Sequence, residues 1–335
     1  MINLGIVGFG YWGKNLVRNF NGFSSCKVKY VCENHEDNAA SCKKAYPELN
    51  VVAYYESLIN DNDLDAIVLA TPVDTHYPLA KSALNAGKHV LIEKPMTSSE
   101  AHAKELVELA NSLNKVLMVD HTFLYTGAVR YMKKLINDGT IGEIQYLDST
   151  RINLGLFQHD VNVLWDLAPH DISICHYLLN KKPNSVQATG VSHTGNDIEN
   201  LAYLTLKYDN NIIAHFNCSW VSPVKIRQML VGGTKKMLLF NDNEPTEKIK
   251  IYDTGYVAQT SEERNRILVD YRVGDIFVPK LHTTEALALM AEDFVNAITN
   301  GTIPDSNANL GHEVVKILDA AQRSIKQYGA EIKLN

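Results

Sequence analysis

The sequence predicts an α/β protein in which an N-terminal doubly wound parallel sheet precedes an α+β domain with a large, mostly antiparallel open sheet. Three observations support this fold class. Short apolar runs alternate with helical patterns from residue 1 to about 120, a glycine-rich turn follows the first run, and closely spaced strand-like runs follow in the second half. Apolar strands flanked by helices imply a covered parallel sheet, whereas successive strands with short polar connections imply antiparallel pairing.

Five apolar runs mark the strands of the first sheet, at residues 2–7, 28–32, 66–70, 90–92 and 116–119. Gly87 is suited to end one intervening helix, and Ser98 or Ser99 to cap the next. The alternation of apolar runs with helical patterns ends at about residue 122, so we predict a first domain at 1–121 and a second at 122–335. Two helical patterns close the chain, and we expect that they can pack back on the first domain. A chain of 335 residues exceeds what one hydrophobic core usually organises.

The composition argues against several classes of protein. No apolar run approaches the roughly 18 residues that a membrane span needs. The net charge of -6, without runs of basic residues, argues against a nucleic-acid partner. The chain begins as a strand and not as a signal peptide, so we expect a cytoplasmic protein. The five cysteines lack metal-ligand spacing, so we expect reduced, mostly buried thiols and no metal site.

The turn after the first strand has the pattern of a dinucleotide-binding loop. Gly8-Phe9-Gly10-Tyr11-Trp12-Gly13 matches G-x-G-x-x-G between a strand and a helical pattern. In such a Rossmann unit the glycines permit the tight turn, the approach of a pyrophosphate and close helix packing. Glu33, about 20 residues further on, is suited to hold the ribose hydroxyls, and the next four residues include no lysine or arginine for a 2′-phosphate. We therefore predict that NAD is favoured over NADP.

A second set of motifs lies at later strand ends and in a later helix. Together with the glycine loop, these motifs resemble the Gfo/Idh/MocA oxidoreductase family along essentially the whole chain. The resemblance implies that Lys94, Asp166 and His170 are active-site groups. It also implies a cis peptide bond before Pro95, because the proline of this motif is often cis in the family. It also implies that Glu93 and Lys94 lie at the cofactor. The motifs are Ala70-Thr71-Pro72, Glu93-Lys94-Pro95 after a strand, and Asp166-Leu167-Ala168-Pro169-His170-Asp171.

Three further runs resemble a branch of the family that contains nucleotide-sugar 3-dehydrogenases, which oxidise UDP-N-acetylhexosamine-type sugars and would serve polysaccharide biosynthesis. The runs are residues 10–16, 121–125 and 151–155. This branch implies a UDP-N-acetylglucosamine 3-dehydrogenase-like activity. The family usually has glycine where this chain has Asp120, and the branch commonly has aspartate in place of Glu33. We leave open how Asp120 affects the nicotinamide pocket.

The remaining candidate residues are assigned from these motifs and from their chemistry. We expect Thr71, Pro72, His76 and His121 at the cofactor, and Tyr125, Arg151 and Asn153 at the substrate beside Lys94, Asp166 and His170. A guanidinium suits a diphosphate or carboxylate. Each assignment has a structural alternative, such as a Lys94–Glu93 salt bridge, a packing role for His170, or a surface charge at Arg151. Trp12 either packs or shields the cofactor.

Hydride transfer from a sugar carbon needs a group that takes the hydroxyl proton and donors that stabilise the developing alkoxide. His170, with an ordinary imidazole pKa of about 6.5, suits the base and Lys94 the donor, although the reverse assignment stays open. Asp166 orients His170 or accepts from a sugar hydroxyl. Asp166 and His170 share a helical face, and Pro169 between them is tolerable only in a first turn.

Two other functions remain open at this point. The same residues could reduce a ketosugar in the reverse direction, or the fold could bind NAD as a non-catalytic sensor or regulatory protein. Retention of both Lys94 and His170 argues against the sensor. Both faces of the second sheet carry apolar residues, which favours a homodimer or homotetramer; intramolecular cover by the closing helices is the alternative.

Overall fold

A six-stranded parallel sheet forms the first part of the fold. The computed structural model describes residues 1–155, 157–159, 161–195, 197–253, 255–257, 270–272 and 274–334. The strand order is 3-2-1-4-5-6, and every pairing is parallel, as predicted. The strands are β1 (Ile2–Val7), β2 (Cys26–Cys32), β3 (Asn50–Val52), β4 (Ala66–Leu69), β5 (His89–Glu93) and β6 (Leu117–Asp120).

Helices connect these strands. The sequence signals explain where several of them begin and end. Ser99 caps α5 by accepting a hydrogen bond from the His102 amide, and Gly87, with φ of +76°, follows the end of α4. The short edge strand β3 was not predicted, because three residues carry too little periodicity. The helices are α1 (Tyr11–Asn21), α2 (Glu36–Ala45), α3 (Glu56–Ile59), α4 (Val73–Asn85) and α5 (Glu100–Ser112).

A nine-stranded, mostly antiparallel sheet forms the second part, as predicted. Its order is β16-β13-β12-β11-β7-β10-β9-β8-β17, and β7 with β10 is the parallel pair. The strands are β7 (Ile144–Leu154), β8 (Ser185–Val191), β9 (Leu201–Lys207), β10 (Ile213–Ser219), β11 (Val221–Gly233), β12 (Met237–Asn241), β13 (Ile249–Tyr252), β16 (Ile276–Phe277) and β17 (Ile332–Lys333). A separate antiparallel pair is β14 (Gly255–Val257) with β15 (Asp270–Arg272).

One face of this sheet is covered by helix. Alternate residues of β9, namely Ala202, Leu204 and Leu206, are buried, and α7 packs against β7, β9 and β10. On the opposite face Tyr203 stacks on His215 and remains exposed. The helices that follow α5 are α6 (Gly127–Asn137), α7 (Val163–Leu179), α8 (Ala286–Asn300) and α9 (Ala308–Lys326), with single 3₁₀ turns at Thr122–Tyr125 and Asp209–Asn211.

The chain forms two compact units. Unit 1 comprises Met1–Thr126 with Thr284–Asp319, and unit 2 comprises Gly127–Thr283 with Ala320–Asn335. The segment 284–319 thus returns to the first unit, where Phe294 of α8 packs edge-on against Phe20 of α1.

No helix in the described ranges has the length and apolar character needed to cross a membrane. The five cysteines are free and buried.

Candidate active site

A cleft of about 380 Å³ opens in unit 1 at the carboxyl ends of β1, β2 and β4. The strand order reverses between β1 and β4, and open α/β sheets bind ligands at such a point. Five of the predicted cofactor residues line this cleft, so the fold brings them together from three separate stretches of sequence. They are Gly8, Gly10, Glu33, Thr71 and Pro72.

The three glycines of the loop differ in what surrounds them. Gly8 has φ of +94°, and a β-carbon there would lie 2.3 Å from the Ala70 carbonyl oxygen. A β-carbon at Gly13 would lie 2.1 Å from the carbonyl oxygen of Gly8. Gly10, the N-cap of α1, has no atom within 4 Å of that position. The backbone at Gly10 is therefore open to a ligand, at a helix N-terminus without an acidic residue in its first turn, which suits a phosphate.

The Glu33 carboxylate ties the glycine loop to the end of β2. Its Oε2 accepts a hydrogen bond of 2.7 Å from the Phe9 amide, and its Oε1 accepts one of 2.8 Å from the His35 amide. A carboxylate offers about four lone-pair sites, so both oxygens can still accept from ribose hydroxyls. These contacts fit the adenosine half of a dinucleotide.

The three aromatic residues of the loop do not line the cleft. The Phe9 ring is buried edge-on against Tyr46, so only its backbone amide faces the loop. The side chains of Tyr11 and Trp12 are exposed and contact each other. The cofactor contacts of Phe9, Tyr11 and Trp12 stay predictions.

Strands β5 and β6 place a second group of predicted residues at the same edge of the sheet. Glu93 ends β5 and pairs in register with Asp120, which ends β6. Lys94 is partly exposed and precedes Pro95 through a cis peptide bond, as the resemblance implied. His121 is buried directly after Asp120. The carboxyl ends of parallel strands share one edge, so these residues lie at the edge where the cleft opens.

His76 joins two turns at this edge. Its Nδ1 lies 2.9 Å from the carbonyl oxygen of Pro95, and its Nε2 lies 2.8 Å from that of Thr71. Burial lowers the pKa of the imidazole, although these carbonyls oppose the shift. Each ring nitrogen lies within hydrogen-bonding distance of a carbonyl oxygen, and the neutral imidazole donates its single N–H to one of them. His76 thus links the turns after β4 and β5, and its cofactor contact stays a prediction.

Helix α7 of unit 2 carries Asp166 and His170 on one face. Both side chains remain partly exposed within a mostly buried helix. Asp166 Oδ2 accepts a hydrogen bond of 3.0 Å from the indole Nε1 of Trp220. Trp220 is fully buried against Gly155, where a β-carbon would lie 2.8 Å from indole Cδ1. The indole therefore holds one carboxylate oxygen of Asp166 in place.

Pro169 lies deeper in α7 than the sequence predicted. The helix begins at Val163, because the Asn162 side chain accepts hydrogen bonds from the amides of Leu164 and Trp165. Pro169 consequently falls in the second turn, and the expectation of a first-turn position was wrong. A proline there removes one N–H donor from the helix.

Arg151 is bonded to a carboxylate within unit 2. Its Nε donates to Asp171 Oδ2 at 2.8 Å and its Nη2 donates to Asp171 Oδ1 at 2.7 Å. The two residues are only 3% and 5% exposed. Burial by itself would lower the pKa of Arg151, but the Asp171 carboxylate raises it above the ordinary value. This ion pair holds α7 against β7, and the substrate contact of Arg151 stays a prediction.

Two other predicted substrate residues have different surroundings. Tyr125 is wholly buried in unit 1, where its hydroxyl donates to Asp293 Oδ2 at 2.6 Å and accepts from the Ser306 amide at 3.2 Å. These bonds give Tyr125 a structural role, and its substrate contact stays a prediction. Asn153 is partly exposed on β7, two residues beyond Arg151 and on the same face.

Sequence reasoning missed several polar residues of the cleft. Asn38 of α2, Tyr55 before α3 and Thr75 of α4 all line it. The Tyr55 hydroxyl donates to the Leu79 carbonyl at 2.8 Å, which fixes the ring. No motif connects these positions with the glycine loop, and only the folding of three helices around the strand ends brings them together. Within the described residues, no group of three or more potential metal ligands occurs.

The Arg151–Asp171 pair yields a stability prediction. We expect Arg151→Met to lower the free energy of unfolding by about 3–5 kcal/mol, because it leaves a buried carboxylate without its partner. Chemical denaturation near neutral pH measures the change. The matched control is Arg18→Met, since Arg18 makes a similar two-bond pair with Glu285 at the surface and its loss should matter little. Equal losses in the two variants would contradict the structural assignment.

Comparison with known proteins agrees with this architecture. A family model described as an oxidoreductase family with an NAD-binding Rossmann fold matches residues 2–121, and the model of the GFO/IDH/MocA C-terminal domain matches residues 129–239. The chain is 34% identical over 181 residues to an uncharacterized oxidoreductase, YdgJ, of Escherichia coli. The aligned region is 50% of this chain and 51% of the relative.

Two further proteins are similar over most of the chain. The UDP-N-acetylglucosamine 3-dehydrogenase of Acidithiobacillus ferrooxidans is 26% identical over 297 residues, 88% of each chain. The structure of a levoglucosan dehydrogenase in complex with NADH and levoglucosan matches with a TM-score of 0.84 and 21% identity over 99% of both chains, a likeness of fold. The protein is therefore a member of the Gfo/Idh/MocA oxidoreductase family, with an N-terminal domain of the NAD-binding Rossmann type.

Proposed function

We propose that the protein is an NAD-dependent dehydrogenase that transfers hydride between a sugar carbon and nicotinamide, with C3 of a nucleotide-linked amino sugar as the substrate position. One observation carries this proposal. The dinucleotide cleft of unit 1 opens at the same sheet edge at which β5 ends before Lys94, and unit 2 carries Asp166 and His170 on one helical face. The similarity to a UDP-N-acetylglucosamine 3-dehydrogenase over 88% of the chain supports the choice of sugar.

Two features of the cleft support the choice of NAD over NADP in this proposal. Glu33 presents a carboxylate at the position expected for the ribose, and it would repel a 2′-phosphate. The described residues that line the cleft include no lysine, arginine or histidine to compensate. A phosphate on the ribose would therefore lose its hydration without gaining a cation.

The proposed chemistry divides between the cofactor and three side chains. Bound NAD supplies the hydride acceptor. In one assignment His170 takes the proton of the sugar hydroxyl while the Lys94 ammonium stabilises the oxygen; in the other these roles are exchanged. Asp166, whose Oδ2 accepts from the Trp220 indole, orients His170 or accepts from a sugar hydroxyl.

Reduction of a ketosugar in the reverse direction uses the same residues. Measuring nicotinamide oxidation as well as nicotinamide reduction distinguishes the two directions. A non-catalytic NAD sensor has no need of Lys94 or His170, so their retention supports an enzyme.

We further propose a homodimer or homotetramer, because apolar side chains of the second sheet, Tyr203 and Ile213 among them, remain exposed on one chain.

The deciding experiment follows nicotinamide reduction with NAD and with NADP against UDP-sugars, free sugars and inositol. We expect turnover with NAD and a UDP-N-acetylhexosamine, and much weaker turnover with NADP. Binding of NAD without turnover of any sugar in either direction would favour the sensor instead. Turnover of a free sugar or inositol alone would retain the dehydrogenase and overturn the nucleotide-sugar assignment.

A further inference from the structure

Two carboxyl groups face each other inside unit 1, beside the proposed catalytic lysine. Glu93 and Asp120 are register partners at the ends of β5 and β6, so their side chains leave the same face of the sheet about 5 Å apart, the spacing of neighbouring strands. Glu93 is 7% exposed and Asp120 is 3% exposed. Two carboxylates so close and so far from water repel each other strongly if both are ionised.

The donors around the pair are too few for two ionised groups. Glu93 Oε2 accepts a hydrogen bond of 3.1 Å from the Lys94 amide, and Asp120 Oδ1 accepts one from the Thr122 hydroxyl. Glu93 Oε1 and Asp120 Oδ2 are buried and receive no hydrogen bond from the described part of the chain. A buried acceptor that lacks a donor is costly, and one proton placed between the two groups would supply the missing donor.

The electrostatic surroundings act in the same direction. Burial, and then the neighbouring Asp120 carboxyl, raise the pKa of Glu93 well above its ordinary range. Burial also raises the pKa of Asp120. The Lys94 ammonium opposes both shifts without cancelling them. Buried titratable residues on neighbouring elements include His121 after β6, His76 of α4 and Glu313 of α9.

We propose that Glu93 and Asp120 share one proton at neutral pH and act as a positioning pair that presents a single negative charge to Lys94. The pair holds the backbone of Lys94 through Glu93 Oε2. It also keeps a second negative charge away from the lysine. The role assigned to Lys94 rests on the proposed function; the shared proton does not, and it can be measured without turnover.

The test compares the pH dependence of stability among wild type, Asp120→Asn and Glu93→Gln. Carboxyl groups of the unfolded chain release their protons near pH 4. Above that pH the folded wild type keeps one proton that the unfolded chain has lost, so its unfolding equilibrium constant rises roughly tenfold per pH unit until the raised pKa of the pair is reached. Either substitution removes one member of the pair and should flatten this rise relative to wild type.

The two variants separate sharing from simple burial. If the proton belonged to Glu93 alone, only Glu93→Gln would flatten the curve, and sharing would be overturned. Parallel curves for all three proteins would also overturn it. Asp148→Asn, an exposed aspartate on β7, is the matched control and should follow wild type throughout.

Two further measurements keep the proposal open to test if a variant is unstable. Infrared spectra of the wild-type protein at neutral pH should contain the carbonyl stretch of a protonated carboxyl group, and its absence would contradict the proposal. In Asp120→Asn, the pH profile of NAD reduction should lose the inflection that the pair contributes. A purely structural role for Asp120 would lower activity equally at every pH.

Discussion

Alanine at Gly10 is expected to leave the fold intact and to weaken NAD binding at least tenfold, which corresponds to about 1.4 kcal/mol. A β-carbon at Gly10 meets no atom of the described residues within 4 Å, so it would project into space that is open to a ligand. That space lies over the N-terminus of α1, where amide groups can donate to phosphate oxygens. Stability should change by no more than about 1 kcal/mol, because alanine is merely a poorer N-cap than glycine.

Gly13→Ala is the matched comparison. Its β-carbon would lie 2.1 Å from the Gly8 carbonyl oxygen, which is backbone and cannot rotate away. Forcing the helix from the strand should lower the free energy of unfolding by roughly 1–3 kcal/mol. Titration with NAD and chemical denaturation of both variants measure the two effects separately. Unchanged NAD affinity in Gly10→Ala would show that the cofactor does not cross this glycine.

The loss of either proposed acid–base group should reduce turnover far more than NAD binding. We expect Lys94→Ala and His170→Ala each to lower kcat about 10²–10⁴-fold, the range that a positioned proton-transfer group contributes. NAD affinity should change only modestly, because the described cleft lining includes neither residue. Single-turnover reduction of NAD with the best sugar of the panel measures the loss.

Two controls sharpen that experiment. Lys104→Ala removes an exposed lysine of α5 and should leave kcat unchanged. The pH profiles of kcat/KM for Lys94→Ala and His170→Ala distinguish which of the two residues is the base. The variant that lacks the base should also lose the fall of kcat/KM at acid pH. Ordinary activity in both Lys94→Ala and His170→Ala would remove these residues from the mechanism.

The regular elements of the protein could be predicted because their signals are local. The buried run of β4, the glycine turn after β1 and the Ser99 cap of α5 each depend on neighbouring residues. The condition that Pro169 lie in a first turn was not met, because Asn162 caps α7 and the helix already starts at Val163. The return of residues 284–319 to unit 1 depends on packing partners such as Phe20 and Phe294, which lie far apart in sequence.

Side-chain roles at the site divide along the same line. The sequence alone determined the parallel sheet, the dinucleotide loop and Glu33 at its edge, because each follows from glycine geometry and from charge at fixed spacing. Only the tertiary structure decided that Arg151, Tyr125 and His76 are occupied by partners inside their own units. The residue type states which bonds a side chain can make, but burial beside a complementary group decides which bond it does make.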